Sequence, residues 1–94
     1  MDLDDFNRLL QVLCDLDGSD LHVKAGSTPR VRVDGHLRML EDEPRIQADE
    51  TRILAEAIML PNVRDAFAER HEADFAYSVP GVGRFRVNAF YQRG

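Results

Sequence analysis

Residues 19–40 read SDLHVKAGSTPRVRVDGHLRML, and this stretch decides the fold class. Residues 20–24 alternate, with Leu21 and Val23 on one face, which predicts a short strand. AGSTP is a loop. Residues 30–34 alternate again with Val31 and Val33 inward, and His36 to Leu40 forms a return strand. Asp34-Gly35 between them is a two-residue hairpin signal, since a type I′ turn needs two positive φ angles and glycine adopts one freely. The second and third of these strands form a hairpin, and the AGSTP loop joins the first to them.

Outward from this core, residues 3–16 carry Leu3, Phe6, Leu9, Leu10 and Leu13 at helical spacing. Asp2 is the expected N-cap, Asp4 and Asp5 suit the positive end of the helix dipole, and Gly18 is the expected stop. This helix is expected to bury Phe6, Leu10 and Leu13 against a sheet face formed by Val31, Val33, Phe85 and Val87. EDEPRIQ, broken by Pro44, is a connection. Residues 50–60 predict a second helix with Asp49 as N-cap and Leu54, Ala57 and Ile58 inward. Pro61 ends it, and Asn62 is placed to cap a third helix with Val63, Ala66 and Phe67 inward. Residues 73–79 form a strand with Phe75, Tyr77 and Val79 on one face, PGVG is a turn, and residues 84–92 form the last strand. The order α-β-β-β-α-α-β-β indicates an α+β domain with an antiparallel sheet and helices packed on it. Tyr77 and Tyr91 are expected at the rim of the core.

The chain has 94 residues, enough for one small domain. Its hydrophobic fraction of 44% and charged fraction of 31% are those of a globular protein. No apolar run is long enough to span a bilayer. The start, MDLDDF, is acidic where a signal peptide is basic, which argues against export. One cysteine, Cys14, excludes an internal disulfide framework and fits a reducing compartment. The net charge of −5 argues against nucleic-acid binding by the whole surface. Charge is uneven: residues 1–20 carry net −5, while residues 75–94 carry Arg84, Arg86 and Arg93 with no acid, net +3.

The chemistry is expected in residues 83–94, GRFRVNAFYQRG. Period two puts Phe85, Val87, Ala89 and Tyr91 on one face and Arg84, Arg86, Asn88, Phe90 and Gln92 on the other. The two guanidinium groups leave the strand about 7 Å apart, enough to flank a phosphate or carboxylate. The plainer alternative is that they cover the outer face of the sheet and pair with nearby acids. His22, His36 and His71 lack metal-ligand spacing, and no metal site is expected. Cys14 has no nearby base, and Ser19, Asp20 and His22 resemble a triad only by letter. No GxxxxGK[ST] occurs and Lys24 is the only lysine, so this chain is not by itself a P-loop ATPase and is expected to have no catalytic residue of its own.

Two segments, SDLHVKAGSTPRVRVDGHL (19–37) and ADFAYSVPGVGRFRVNAFYQRG (73–94), resemble the N-terminal domain of type IV pilus retraction ATPases, the PilT-like twitching motility proteins of the secretion ATPase superfamily. The resemblance covers nearly the whole chain, with residues 41–70 similar in pattern only. It implies a PAS-like N-terminal domain spanning 1–94, followed in a longer protein by a RecA-like C-terminal domain carrying the P-loop. A chain that stops at Gly94, directly after a strand, agrees with that. The implied protein is a cytoplasmic homohexamer at the base of the pilus, beside the inner-membrane platform. It uses ATP and Mg to disassemble pilin and produce retraction. Its N-terminal domain packs on the neighbouring subunit's C-terminal ATPase domain, and arginines of its last strand reach the nucleotide phosphates. The matching positions are Arg84 and Arg86, then Arg93. The alternatives are a pilus assembly or type II secretion ATPase, a free-standing PAS-like ligand sensor, and a module that only holds the ring together. No nucleic-acid partner is implied.

Overall fold

A computed structural model describes residues 1–91. The elements are α1 (Leu3–Asp15), β1 (Asp20–His22), β2 (Arg30–Val33), β3 (His36–Met39), α2 (Ala48–Ile58), α3 (Pro61–Arg70), β4 (Glu72–Val79) and β5 (Gly83–Phe90). This is the expected α+β order, and every strand pairing is antiparallel. The strands divide between two sheets, β1-β2-β3 and β4-β5, so Phe85 and Val87 do not share a sheet with Val31 and Val33. The chain likewise separates into two compact regions, Met1–Leu54 and Ala55–Gly94.

In the first region, α1 starts and stops by local chemistry. The Asp2 carboxylate accepts from the Asp5 N–H at 2.9 Å, and the Asp5 carboxylate accepts from the Asp2 N–H at 3.3 Å. This reciprocal box satisfies two donors that the first turn leaves orphaned. At the other end the Gly18 N–H donates to the Leu13 carbonyl and the Asp17 N–H to the Cys14 carbonyl. Those two bonds form a Schellman motif. Its left-handed residue is Asp17, with φ 56°, rather than Gly18. Gly18 is needed for a different reason: a Cβ there would lie 2.6 Å from Leu13 Cδ1 and 3.0 Å from the Arg32 carbonyl oxygen. The helix stop and β2 thus meet at a point with no room for a side chain.

The apolar stripe of α1 is buried at Phe6, Leu9, Leu10 and Leu13, in a core that includes Val31, Ile46 and Leu54. The β2–β3 hairpin turns through Asp34 and Gly35 with φ of 51° and 80°, the positive pair that a type I′ turn requires. Ile46 is held from both sides, its carbonyl accepting from the Gly26 N–H and its N–H donating to the Ser27 carbonyl.

Two helix starts differ from expectation. Helix α2 begins at Ala48, so Asp49 lies in its first turn instead of capping it. The Gln47 carbonyl accepts the Thr51 N–H at 3.2 Å, which makes Gln47 the boundary residue. Helix α3 begins at Pro61 itself, with Leu60 as an N-cap that makes no side-chain bond, and Asn62 is already inside the helix. Proline suits that first position because its fixed φ is helical and the N–H it lacks has no partner there anyway.

In the second region, Phe67 of α3 is buried along with Met59 and Val79. Helix α3 packs on β4. Tyr91 stacks on Phe67 with ring centroids 4.9 Å apart, and His71 meets the Tyr91 ring edge-on at 5.2 Å. The link between β4 and β5 is a tight turn. The Val82 N–H donates to the Val79 carbonyl at 3.0 Å, and Gly81 takes φ 78°, as proline followed by glycine in a type II turn provides.

Candidate functional site

The turn sets the register, and the register sets the site. Val79 pairs with Gly83, which places Ser78 opposite Arg84, Ala76 opposite Arg86 and Asp74 opposite Asn88. Exposure alternates along both strands. Phe75, Tyr77, Phe85, Val87 and Ala89 are half-buried, whereas Asp74, Ala76, Ser78, Arg84, Arg86 and Asn88 are exposed. Arg84 and Arg86 therefore share one solvent-facing surface, as the sequence predicts. Arg93 and Gln92 lie outside the described residues.

The two arginines are in different states. Arg86 is engaged side-on by Asp74: its Nε donates to Oδ1 at 3.1 Å and its Nη2 to Oδ2 at 2.5 Å. The Arg86 side chain remains 84% exposed while making this contact. The hydrogen bonds from Arg86, and then its charge, hold the Asp74 carboxyl below its ordinary value. The same contact raises the Arg86 guanidinium. Among the described residues Arg84 makes no ion pair.

Asp74 is the residue that reading the sequence passed over. The signal was present: Asp74 sits two positions from Ala76, which faces Arg86, and such a diagonal neighbour is within reach of a long side chain. It becomes visible only when the turn has fixed the pairing.

Beside this face, α3 and the start of β4 bound an open groove of about 420 Å³ whose lining includes Asn62, Arg70, Asp74 and Asn88. No group of three His, Cys, Asp or Glu stands together as a metal site among the described residues. Cys14 is exposed on α1. Asp20 is paired with Arg32 at 3.4 Å, and Ser19 donates to Asp20 at 2.7 Å, so Ser19, Asp20 and His22 form no relay. No helix among the described residues is long and apolar enough to cross a membrane. The surface can supply guanidinium donors, a hydroxyl and amides to an anion at the open side of a hairpin.

No family profile matches the chain. The chain is 40% identical over 89 residues to the type IV pilus ATPase PilU of Pseudomonas aeruginosa, covering 95% of this chain and 23% of PilU. It is 42% identical over 88 residues to the type IV pilus retractation ATPase PilT of the same organism, covering 94% of this chain and 25% of PilT. A twitching motility protein of Neisseria gonorrhoeae is 36% identical over 63 residues, 67% of this chain and 17% of that protein. A crystal structure of the pilus retraction motor PilT with bound ADP matches with a TM-score of 0.83 and 41% identity, over 93% of this chain and 25% of that one. The chain thus spans about a quarter of the length of the curated pilus ATPases it matches. With this identity along nearly its whole length and an α+β architecture, the chain matches a PilT-like N-terminal domain.

Proposed function

We propose that this chain is the N-terminal domain of a type IV pilus retraction motor and that it supplies arginines to the ATP site of a neighbouring subunit. In this reading a RecA-like domain outside the chain holds ATP and Mg, and the assembled ring is a homohexamer at the pilus base by the inner membrane. The chain's own part is to pack on the neighbour's ATPase domain and bring Arg84 and Arg86 to the phosphates. Arg93 is a third candidate by sequence. The observation that carries the reading is the exposed pair Arg84 and Arg86 on one face of β5, in a chain about two-fifths identical to pilus ATPases.

The chemistry suits phosphate. A guanidinium offers planar, bidentate donors to phosphoryl oxygens, and an arginine supplied in trans to a phosphoryl-transfer site can be worth about 10³ to 10⁵ in rate. In an open, screened position the same groups bind anions weakly. The 94-residue chain by itself is therefore expected to show little ATP affinity and no turnover, and to remain monomeric or weakly associated. Arg86→Ala in the intact protein should lower kcat at least ~10-fold with the hexamer retained. Lysine should substitute poorly, because it lacks the fork.

The engagement of Arg86 by Asp74 favours a second reading, in which the face only covers the hairpin and the domain serves ring assembly. The same experiment separates the two. Wild-type ATPase rates for Arg84→Ala and Arg86→Ala in intact hexamers would leave the assembly reading standing.

A further inference from the structure

The face that carries the two arginines also carries the carboxylates of Glu72 and Asp74, of which Asp74 is bound to Arg86, and the geometry of that contact is specific. We propose that Asp74 is a positioning residue for Arg86, gripping the guanidinium by its Nε–Nη2 edge so that the Nη1 end is presented to a phosphate. The proposal rests on the reading of Arg86 as a phosphate ligand.

A guanidinium has five N–H donors in a rigid plane. Asp74 takes two of them, one on Nε and one on Nη2. Three remain, two on Nη1 and one on Nη2, and one from each nitrogen forms the end-on edge, which is itself a bidentate donor pair. Carboxylate and phosphate can thus occupy different edges of the same group at the same time. Asp74 need not be displaced for Arg86 to act.

The contact also has something to correct. Arg86 stands on an exposed face with its side chain 84% accessible, and among the described residues Asp74 is the ion-pair partner of its head group. A long side chain in that position loses much rotamer freedom when it meets a ligand. Asp74 selects one orientation beforehand, from a strand whose register with β5 is fixed by the turn at Pro80-Gly81. Donors oriented before charge develops stabilise a transition state more than donors that must reorganise. The opposite view is that Asp74 merely neutralises Arg86 and competes with the phosphate. The two views differ in sign. Positioning requires that loss of the carboxylate slows turnover, and competition requires that it speeds turnover or tightens ATP binding.

The test uses the full-length ATPase. Asp74→Asn is expected to lower kcat about 3- to 10-fold with KM changed less than about twofold, the split left by an interaction made in the transition state. In an Arg86→Ala background, Asp74→Asn should cost less than about 1.5-fold more, because two residues acting through one contact are not additive. A residue needed only for folding would lower both backgrounds alike. Should the asparagine variant fail to fold, Asp74→Ser reads the same quantity. Unchanged or faster turnover in Asp74→Asn, with Arg86→Ala still slow, would overturn the positioning role and leave the phosphate reading intact. Equal losses for Asp74→Asn with and without Arg86 would also overturn it. Wild-type turnover in Arg86→Ala would overturn both.

Discussion

The regions Met1–Leu54 and Ala55–Gly94 both contain an antiparallel hairpin, yet they treat its two faces differently. In the first, Val31 is completely buried and Val33 half-buried, and Leu9, Leu10, Leu13, Ile46 and Leu54 close around the core. In the second, the inward positions Phe75, Tyr77, Phe85 and Val87 are only half-buried, and the fully buried apolar residues are Met59, Phe67 and Val79. The second hairpin compensates with length. Its strands run eight residues each, against four each in β2 and β3. It is held by a long ladder and a tight turn more than by a core. A surface of that kind tolerates changes on its outer face, because little of the region's stability depends on them. The packed region carries the fold, and the laddered region carries the candidate chemistry.

The comparison breaks first at the core of the packed region. Leu10→Ala should cost about 2 to 4 kcal/mol, measured as a shift in denaturant midpoint at constant slope. A loss below about 0.5 kcal/mol would place α1 among ordinary surface elements.

The next largest effect sharpens the contrast through two glycines. Gly18→Ala pushes a Cβ to 2.6 Å from Leu13 Cδ1 and 3.0 Å from a strand carbonyl, and overpacking of that kind costs about 1 to 3 kcal/mol. Gly81→Ala meets nothing within 4 Å and is strained only by its positive φ, a penalty of about 1 kcal/mol. If the two melt together, the junction at Gly18 is looser than its geometry implies.

A smaller effect is expected on the arginine face. Arg84→Ala and Arg86→Ala should leave the thermal midpoint within about 2 °C, in keeping with exposed positions. A larger drop would mean that the outer face holds the hairpin.

The smallest effects are in pH. Asp74 is held below the usual carboxylate range by Arg86, so its ion pair contributes stability above the unfolded carboxyl value, lost as pH falls through the depressed folded one. In the packed region the Met1 ammonium donates to Glu50, which raises the amino group, so that contribution is complete below the unfolded amine value and lost as pH rises through the raised one. Asp74 is exposed and Met1 half-buried at the surface, and each effect is modest. Asp74→Asn should remove part of the acid-side loss, whereas Glu50→Gln should remove the alkaline loss and, because the Met1 ammonium holds the Glu50 carboxyl below its ordinary value, another part of the acid-side one, as read from melts between pH 3 and pH 10, roughly the span of the ordinary carboxyl and amine values.

Features set by short-range pattern were legible in the sequence. The stripe Phe6-Leu9-Leu10-Leu13, the cap at Asp2, the turn at Asp34-Gly35 and the alternation along β5 each need only neighbouring residues. Helix starts were less legible. Gln47 and Asp49 lie two residues apart, and the backbone bond from Thr51 decides between them. The division of five strands between two sheets and the grip of Asp74 on Arg86 depend on pairing across the chain, which periodicity does not encode. Of the candidate site, the sequence showed which residues share a face, but not which of its two arginines already has a partner.

The turn at Pro80-Gly81 makes the chemistry of the second hairpin a matter of odd and even. One residue inserted or deleted between that turn and Arg84 would move every following residue of β5 to the opposite face. Arg84 and Arg86 would then point inward, and Phe85 and Val87 would face water. Two such changes would restore the faces and shift Arg86 along the ladder from Asp74 by one pair of rungs. Length variants of this strand should therefore survive in steps of two, so indel parity is a cheap criterion for which related chains can keep an arginine surface.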